Sequence, residues 1–228
     1  MKIGVLLSGS GVYDGAEIHE SVLTLLEIEN LGYEAVCIGI DAPQYHVINH
    51  LNGETQDQTR NMLQEAARIA RGNIREISTV VPADIDALVI PGGFGSAKNF
   101  SSWAFNGPEA LIRPDVKLLL VNLYNVGKPI VALCVSPVLL ALAFEDMPIG
   151  QQLTIGSSTS PSPYQIADFQ KGLQSKGVLT QECTIDEICI DEVNRIITAP
   201  CYMLEASLPA LQQNIRQALK ALKQLLEA

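Results

Sequence analysis

The chain predicts an α/β fold built on a mainly parallel sheet with helices on both faces. Three observations carry that expectation: short all-apolar runs of strand length, intervening segments with helical periodicity, and glycine-rich corners where strand hands over to helix. A strand apolar on both faces must be covered on both faces, and helices packed above and below a parallel sheet do this.

Residues 3–7, Ile3-Gly4-Val5-Leu6-Leu7, read as the first strand. Ser8-Gly9-Ser10-Gly11 opens a loop that runs through Gly15 and delivers the chain to a helix over 17–31, stopped by Gly32. Val22, Leu25, Leu26 and Ile28 are expected to supply that helix's apolar face. Residues 35–40 form a second buried strand, and 61–70 a helix that stops at Arg71-Gly72. Residues 87–90 form a third strand. It runs into Pro91-Gly92-Gly93-Phe94-Gly95, which is too glycine-rich for regular structure and reads as a tight loop.

A helix over 113–126 leads to a strand at 130–133, and a helix over 137–144 follows. Beyond it the rhythm weakens. Residues 153–156 are a candidate strand, 157–163 a Ser/Pro/Thr loop and 164–175 a candidate helix. Residues 188–190 and 195–198 flank Asp191-Glu192-Val193-Asn194 as a hairpin, and 204–226 closes the chain as a long amphipathic helix. No repeat and no internal boundary is visible, so residues 1–228 are expected to form a single domain.

Composition narrows the function classes. With 47% hydrophobic and 18% charged residues, burial can offset chain entropy and the chain should be globular. A formal charge of -10 with no Lys or Arg cluster repels phosphates, so nucleic acid is not an expected partner. The five cysteines, at 37, 134, 183, 189 and 201, are odd in number and lack Cys-x-x-Cys spacing, which fits a reducing cytosol rather than a disulfide framework or a zinc site. No signal peptide precedes the first strand, and the longest apolar stretch, 129–144, has 16 residues where a bilayer span needs ~20. A cytoplasmic protein with no membrane partner is expected.

The chemistry concentrates at Pro129-Ile130-Val131-Ala132-Leu133-Cys134-Val135-Ser136-Pro137. Ser136 can cap the next helix and Pro137 suits its first position, so Cys134 falls at a sharp strand-to-helix corner. Such a corner lifts a side chain from the sheet and aims backbone N–H groups at one point, which should raise thiolate character. The same residue also reads as a small buried hydrophobe, and the corner alone leaves both readings open.

Glu17 and Glu20 share one face of the first helix's opening turn and either could reach across the strand ends to the thiol. Desolvation would raise a carboxyl there into the range of general acid–base work, although both also suit a positive helix N-terminus. The backbone N–H groups of Gly93 and Val135 could together hold an oxyanion, and Pro91-Gly92 is equally an ordinary turn. Lys98 places a positive charge nearby or lies solvated at the surface. Gly9-Ser10-Gly11-Val12-Tyr13-Asp14 lacks the last glycine of a dinucleotide fingerprint, so the loop reads as a pocket wall.

These residues carry a resemblance. Pro91-Gly92-Gly93-Phe94-Gly95-Ser96-Ala97-Lys98-Asn99, the Cys134 corner and Gly11-Val12-Tyr13-Asp14-Gly15-Ala16-Glu17-Ile18-His19-Glu20 resemble the ElbB branch of the PfpI-like, class I glutamine-amidotransferase-like superfamily. Further landmarks are Val47-Ile48-Asn49-His50-Leu51, Leu153-Thr154-Ile155-Gly156 and Ala199-Pro200-Cys201-Tyr202-Met203, so the likeness runs nearly end to end. It implies a flavodoxin-like three-layer sandwich, a nucleophile at Cys134 and a pocket glutamate at Glu20, with Glu17 second. It also implies a cofactor-independent glyoxalase that turns glyoxal or a related 2-oxoaldehyde into a 2-hydroxy acid, a link to isoprenoid biosynthesis, and a homodimer. Neither a metal nor an organic cofactor is expected.

One departure matters. The superfamily often places a histidine about twenty residues after its cysteine, and this chain has none beyond His50. A glutamine-hydrolysing Cys-His-Glu triad is therefore disfavoured, and Glu20 becomes the main proton carrier, with His19 a minor candidate. The rival reading is a redox-responsive or regulatory binding protein that uses the same cysteine as a sensor. Among the remaining cysteines only Cys201 is expected near the pocket.

Overall fold

The apolar runs become the strands of a seven-stranded sheet in the computed structural model, which describes residues 1–147 and 149–228. The first half of the chain forms β1 (Lys2–Leu6), α1 (Ile18–Asn30), β2 (Glu34–Gly39), α2 (Met62–Ile69), β3 (Ile74–Glu76) and β4 (Ala87–Ile90). Two short helices, α3 (Phe94–Lys98) and α4 (Trp103–Asn106), precede α5 (Pro114–Asn125), β5 (Ile130–Leu133) and α6 (Pro137–Ala143). The remainder forms β6 (Gln152–Leu153), α7 (Ile166–Ser175), β7 (Leu179–Thr180), β8 (Cys189–Asp191), β9 (Ile196–Ala199) and α8 (Leu208–Glu227).

The sheet order is β3-β2-β1-β4-β5-β9-β8, parallel throughout except for β8, which pairs antiparallel with β9 as the expected hairpin. Helix α1 packs against both α2 and α8, and α5 packs along α6, giving the three-layer α/β sandwich the sequence implied. Every residue of β4, β5 and β9 is buried, as a strand covered on both faces requires. The order reverses between β1 and β4, because successive connections build outward from β1 on either side. A crevice opens there at the carboxyl ends of the strands, where ligands bind in such sheets.

Helix boundaries follow their capping chemistry. Glu17 caps α1, Asn61 caps α2 and Ser207 caps α8, each side chain accepting a backbone N–H of the first turn. Pro137 stands in the first turn of α6 as expected, since proline has no N–H to leave unpaired there.

Several expectations are corrected. The expected apolar face of α1 holds for half its residues: Ile28 is buried and Leu25 packs against the core, but Val22 is 48% and Leu26 42% exposed, and Glu20, Ser21, Thr24 and Glu27 are buried in their place. Glu27 can be buried because Arg216 and Gln212 of α8 reach both of its carboxylate oxygens. Only residues 91–93 of the glycine-rich segment are loop, since Phe94 begins α3. The candidate strand at 153–156 reduces to the end of β6, and α8 starts at Leu208 behind its Ser207 cap rather than at 204. Helix α7 likewise starts at Ile166, which leaves Tyr164 in the preceding loop. β3 and β7 carry no strand-like apolar run and were not anticipated.

Candidate active site

Three segments meet at the crevice: residues 8–17 after β1, residues 91–93 after β4 and the Cys134 corner after β5. They are tied by backbone hydrogen bonds, because a loop packed into an interior must pair its polar groups. Glu17 N donates to Gly92 O at 2.9 Å, Phe94 N to Val12 O at 2.7 Å and Gly95 N to Gly15 O at 2.9 Å. Asn99 Nδ2 donates to the carbonyls of Ser8 and Asp14, both at 2.9 Å.

Cys134 has φ 57, a left-handed conformation that costs a non-glycine residue about 1–3 kcal/mol. The strand's pairing forces it: Cys134 N still donates to Ala199 O at 2.9 Å, while Ser136 N already turns back to Leu133 O at 2.9 Å. Ser136 occupies the capping position of α6, but its side chain does not cap. Its hydroxyl bonds Pro91 O and Ser96 Oγ, both at 2.8 Å, which pins the β5 corner to the β4 loop.

Glu20 is fully buried. Its Oε2 accepts from Gly92 N at 2.7 Å and its Oε1 from Tyr202 N at 3.2 Å, and it hydrogen-bonds the Cys134 thiol. Burial first, and then the nearby Glu17 charge, push its pKa up to about 8. Glu17 lies at the cavity wall, and its Oε2 accepts from Glu20 N at 2.6 Å. Burial raises its pKa as well.

The close approach requires glycine at 92. A Cβ there would lie 2.3 Å from Cys134 Cβ and 2.7 Å from both Cys134 Sγ and Glu20 Oε2. Gly93 has φ 98, and a side chain there would meet Gly15 O at 2.4 Å.

Cys134 is 6% exposed, and burial followed by the Glu20 charge push its thiol well above the ordinary range. The expected rise in thiolate character is thus reversed. The N–H groups of Gly93 and Val135 do hydrogen-bond the sulfur, but desolvation outweighs them. Both N–H groups therefore lie at the sulfur.

Glu17, Gly93, Cys134 and Val135 line a cavity of about 30 Å³ whose walls also include Val12, Phe94, Tyr164, Phe169, Tyr202 and Met203, while Glu20 is fully buried and does not line it. A single water needs roughly 10–15 Å³, so the space suits a ligand of a few non-hydrogen atoms. No lysine, arginine or histidine is among the residues that line it. Lys98 lies outside the lining, its Nζ donating to Tyr13 O at 3.0 Å and resting over the Phe94 ring at 5.1 Å. His19 turns outward to Tyr202 Oη at 3.2 Å, and His50 Nε2 accepts from Tyr13 N at 3.2 Å. Cys201 is fully buried beside Cys134 and does not line the cavity. All five cysteines are unpaired and buried.

Among the described residues no group of three His, Cys, Asp or Glu side chains could hold a metal ion, and no helix is long and apolar enough to cross a membrane. Sequence reasoning missed the aromatic walls. Tyr202 lies within the Ala199-Pro200-Cys201-Tyr202-Met203 segment, but Tyr164 falls at the start of the expected helix and Phe169 carries no signal beyond amphipathic spacing.

No protein-family model matches the chain. It is 35% identical over 219 residues to the glutamine amidotransferase-like class 1 domain-containing protein 3, mitochondrial, of Homo sapiens, covering 94% of this chain and 79% of that one. The ES1 protein homolog, mitochondrial, of Rattus norvegicus is 34% identical over 229 residues, with 98% and 84% covered. Among solved structures, an isoprenoid biosynthesis protein with amidotransferase-like domain from Ehrlichia chaffeensis superposes with TM-score 0.89 at 32% identity, covering 99% of both chains. A glyoxalase III from Candida albicans, at 14% identity and TM-score 0.58 over 97% of each chain, shares the fold.

The curated relatives overturn the cytoplasmic expectation, since those of Homo sapiens, Rattus norvegicus and Danio rerio are mitochondrial proteins. Unpaired cysteines argue only against oxidising compartments, and that criterion does not single out the cytosol.

Proposed function

The chain belongs to the glutamine amidotransferase-like class 1 family, and from that premise we propose that it is a single-domain, ElbB-type, cofactor-independent glyoxalase acting on glyoxal or a related small 2-oxoaldehyde. The observation that carries this reading is the Cys134 thiol hydrogen-bonded to a buried Glu20, beneath a cavity with room for a few atoms.

Cys134 Sγ adds to the aldehyde carbon as its proton passes to Glu20 and on to the aldehyde oxygen, giving a thiohemiacetal. The N–H groups of Gly93 and Val135, which touch the sulfur beforehand, transfer to the developing oxyanion. Glu20 then removes the C1 proton, and the resulting enediol is protonated at C2. C1 is oxidised to the thioester and C2 reduced to the alcohol, with no external electron acceptor. Water cleaves the thioester, releasing the 2-hydroxy acid and the thiol. Glu17 holds Glu20 N, and its charge adds to burial in pushing the Glu20 pKa up to about 8.

The absence of a histidine among the cavity-lining residues argues against glutamine hydrolysis. A redox sensor needs an accessible, low-pKa thiol, and burial of Cys134 works against both requirements. A link to isoprenoid biosynthesis belongs to the same proposal, supported by the Ehrlichia chaffeensis relative. The test is glyoxal consumption and glycolate release by purified protein, followed by NMR, with Cys134→Ser as control. Turnover that requires Cys134 supports the reading. Equal rates in the two proteins overturn it and favour the sensor.

A further inference from the structure

Tyr164 stands in the loop before α7 and presents its ring to the cavity that holds Cys134. That loop is firmly held. Tyr164 N donates to Ser162 Oγ at 2.9 Å, and the Ser162 hydroxyl donates to Met203 O at 2.6 Å. Glu205 N donates to Pro161 O at 2.9 Å, and Ile166 N to Tyr164 O at 3.1 Å. The ring is further fixed by an edge contact with Phe94, centroids 5.9 Å apart. Among the described residues no hydrogen-bond partner of the Tyr164 hydroxyl is seen, although the side chain is partly buried next to Cys134, Glu20 and Glu17. Burial, followed by the charges of Cys134 and Glu20, pushes the phenol up to about 12, so it is a donor throughout the working pH range.

A phenol held on a rigid loop with its hydroxyl uncommitted to any protein group can donate to a ligand in the cavity without first breaking an internal hydrogen bond. Val12, Phe94, Phe169 and Met203 of the same wall are apolar, and its other polar side chains are engaged, Tyr202 Oη with His19 Nδ1 at 3.2 Å and Glu17 Oε2 with Glu20 N at 2.6 Å. In the proposed glyoxalase chemistry the Gly93 and Val135 N–H groups, which point at the sulfur, serve the oxygen on the carbon that Cys134 attacks. An oxygen on the neighbouring carbon is left without a donor from that pair.

We propose that the Tyr164 hydroxyl is a further catalytic group, donating to the second oxygen of a ligand that carries oxygens on two adjacent carbons while Cys134 bonds to the first carbon. The proposal rests on the glyoxalase reading for its place in turnover, but its binding content stands apart. In the capture step the Sγ–C bond forms, the aldehyde C=O π bond opens, and the thiol proton ends on the former carbonyl oxygen. No oxidant or reductant takes part. Tyr164 holds the neighbouring oxygen by hydrogen bond, and in the later enediol the same bond stabilises the charge that collects there.

The experiment measures reversible capture as protection of Cys134 from iodoacetamide, read by peptide mass spectrometry, in wild type and Tyr164→Phe. The two probes are glyoxal, with two adjacent oxygens, and acetaldehyde, with one. Comparing the variants for each probe cancels the intrinsic difference in aldehyde reactivity. Tyr164→Phe is expected to weaken protection by glyoxal about tenfold and leave protection by acetaldehyde unchanged. Equal weakening for both probes, or for neither, overturns the proposal. A selective loss for glyoxal in a protein that does not turn glyoxal over upholds Tyr164 as a ligand donor while the glyoxalase reading falls. Turnover without the selective loss does the reverse. Near-ultraviolet circular dichroism of Tyr164→Phe, expected to retain the wild-type tertiary signal, separates a lost hydroxyl from a lost fold.

Discussion

Replacing Glu20 by Gln probes both the energetics of the buried carboxyl and its work as a proton carrier. The raised pKa, about 8 against an ordinary 4.5, means that the folded protein binds a proton the unfolded chain has released. At about 1.4 kcal/mol per pH unit, keeping Glu20 ionised in the folded state costs up to about 5 kcal/mol. The sign is fixed by that direction. This residue's contribution to stability is greatest below about pH 4.5 and is lost as pH rises through about 8. Gln does not titrate, so the variant lacks the slope. It does set an amide NH₂ against one of the two backbone N–H donors, from Gly92 or Tyr202, at a pH-independent cost of about 1–3 kcal/mol. Urea unfolding should therefore find the wild type more stable near about pH 5 and Glu20→Gln more stable by roughly 2–4 kcal/mol near about pH 9. Glyoxal turnover by the wild type should climb along a limb centred near pH 8. In the variant that limb should vanish and the rate fall by about 10²–10⁴-fold, while Cys134 can still be alkylated. Stability curves that run parallel across this window, or full turnover by Glu20→Gln, would refute the reasoning.

Other perturbations test neighbouring parts. Gly92→Ala forces a methyl against the sulfur and the carboxyl together, so turnover should drop at least about 100-fold with a stability loss of about 1–3 kcal/mol by urea titration; unchanged kinetics would show that the three groups can part freely. Burial pushes Glu27 up, but the hydrogen bonds from Arg216, Gln212 and Asn30 outweigh it and hold its carboxyl low. The stability this adds is present above about pH 4.5 and lost on acidification through the lowered value, and thermal melts of Arg216→Ala across the acid range should show that part of the pH dependence diminished. The homodimer is a proposal, for which Ile18, Val22 and Leu26 on the outer face of α1 offer an exposed aliphatic stripe. Light scattering should return twice 24.6 kDa for the wild type and 24.6 kDa for Val22→Glu, and a monomeric wild type would remove the dimer.

The parallel sheet was legible because strands buried on both faces write themselves as unbroken apolar runs, and Ile130-Val131-Ala132-Leu133 appears in the structure with its expected limits. The meeting of Cys134, Glu20 and Gly93 was legible too, since each falls where a strand's carboxyl end or a helix's first turn faces the crevice. What sequence pattern misread was α1. Glu20 and Glu27 point inward because backbone N–H groups and Arg216 supply partners from 72 to 189 residues away, and no local periodicity encodes such distant donors. The thiol's direction of shift failed for a related reason: the corner names the donors around Cys134 but not how completely the surrounding chain excludes water. Tyr164 escaped because a two-residue difference in where α7 begins decides whether its ring lies on a helix or over the cavity.

The left-handed backbone at Cys134 sets a conflict between robustness and use. Asparagine or glycine would rest there with less strain, so either should make a sturdier but chemically idle protein, with a gain of about 1 kcal/mol. A population freed from the need for this thiol would drift toward such replacements, whereas a lineage that still relies on it must keep accepting a less durable fold.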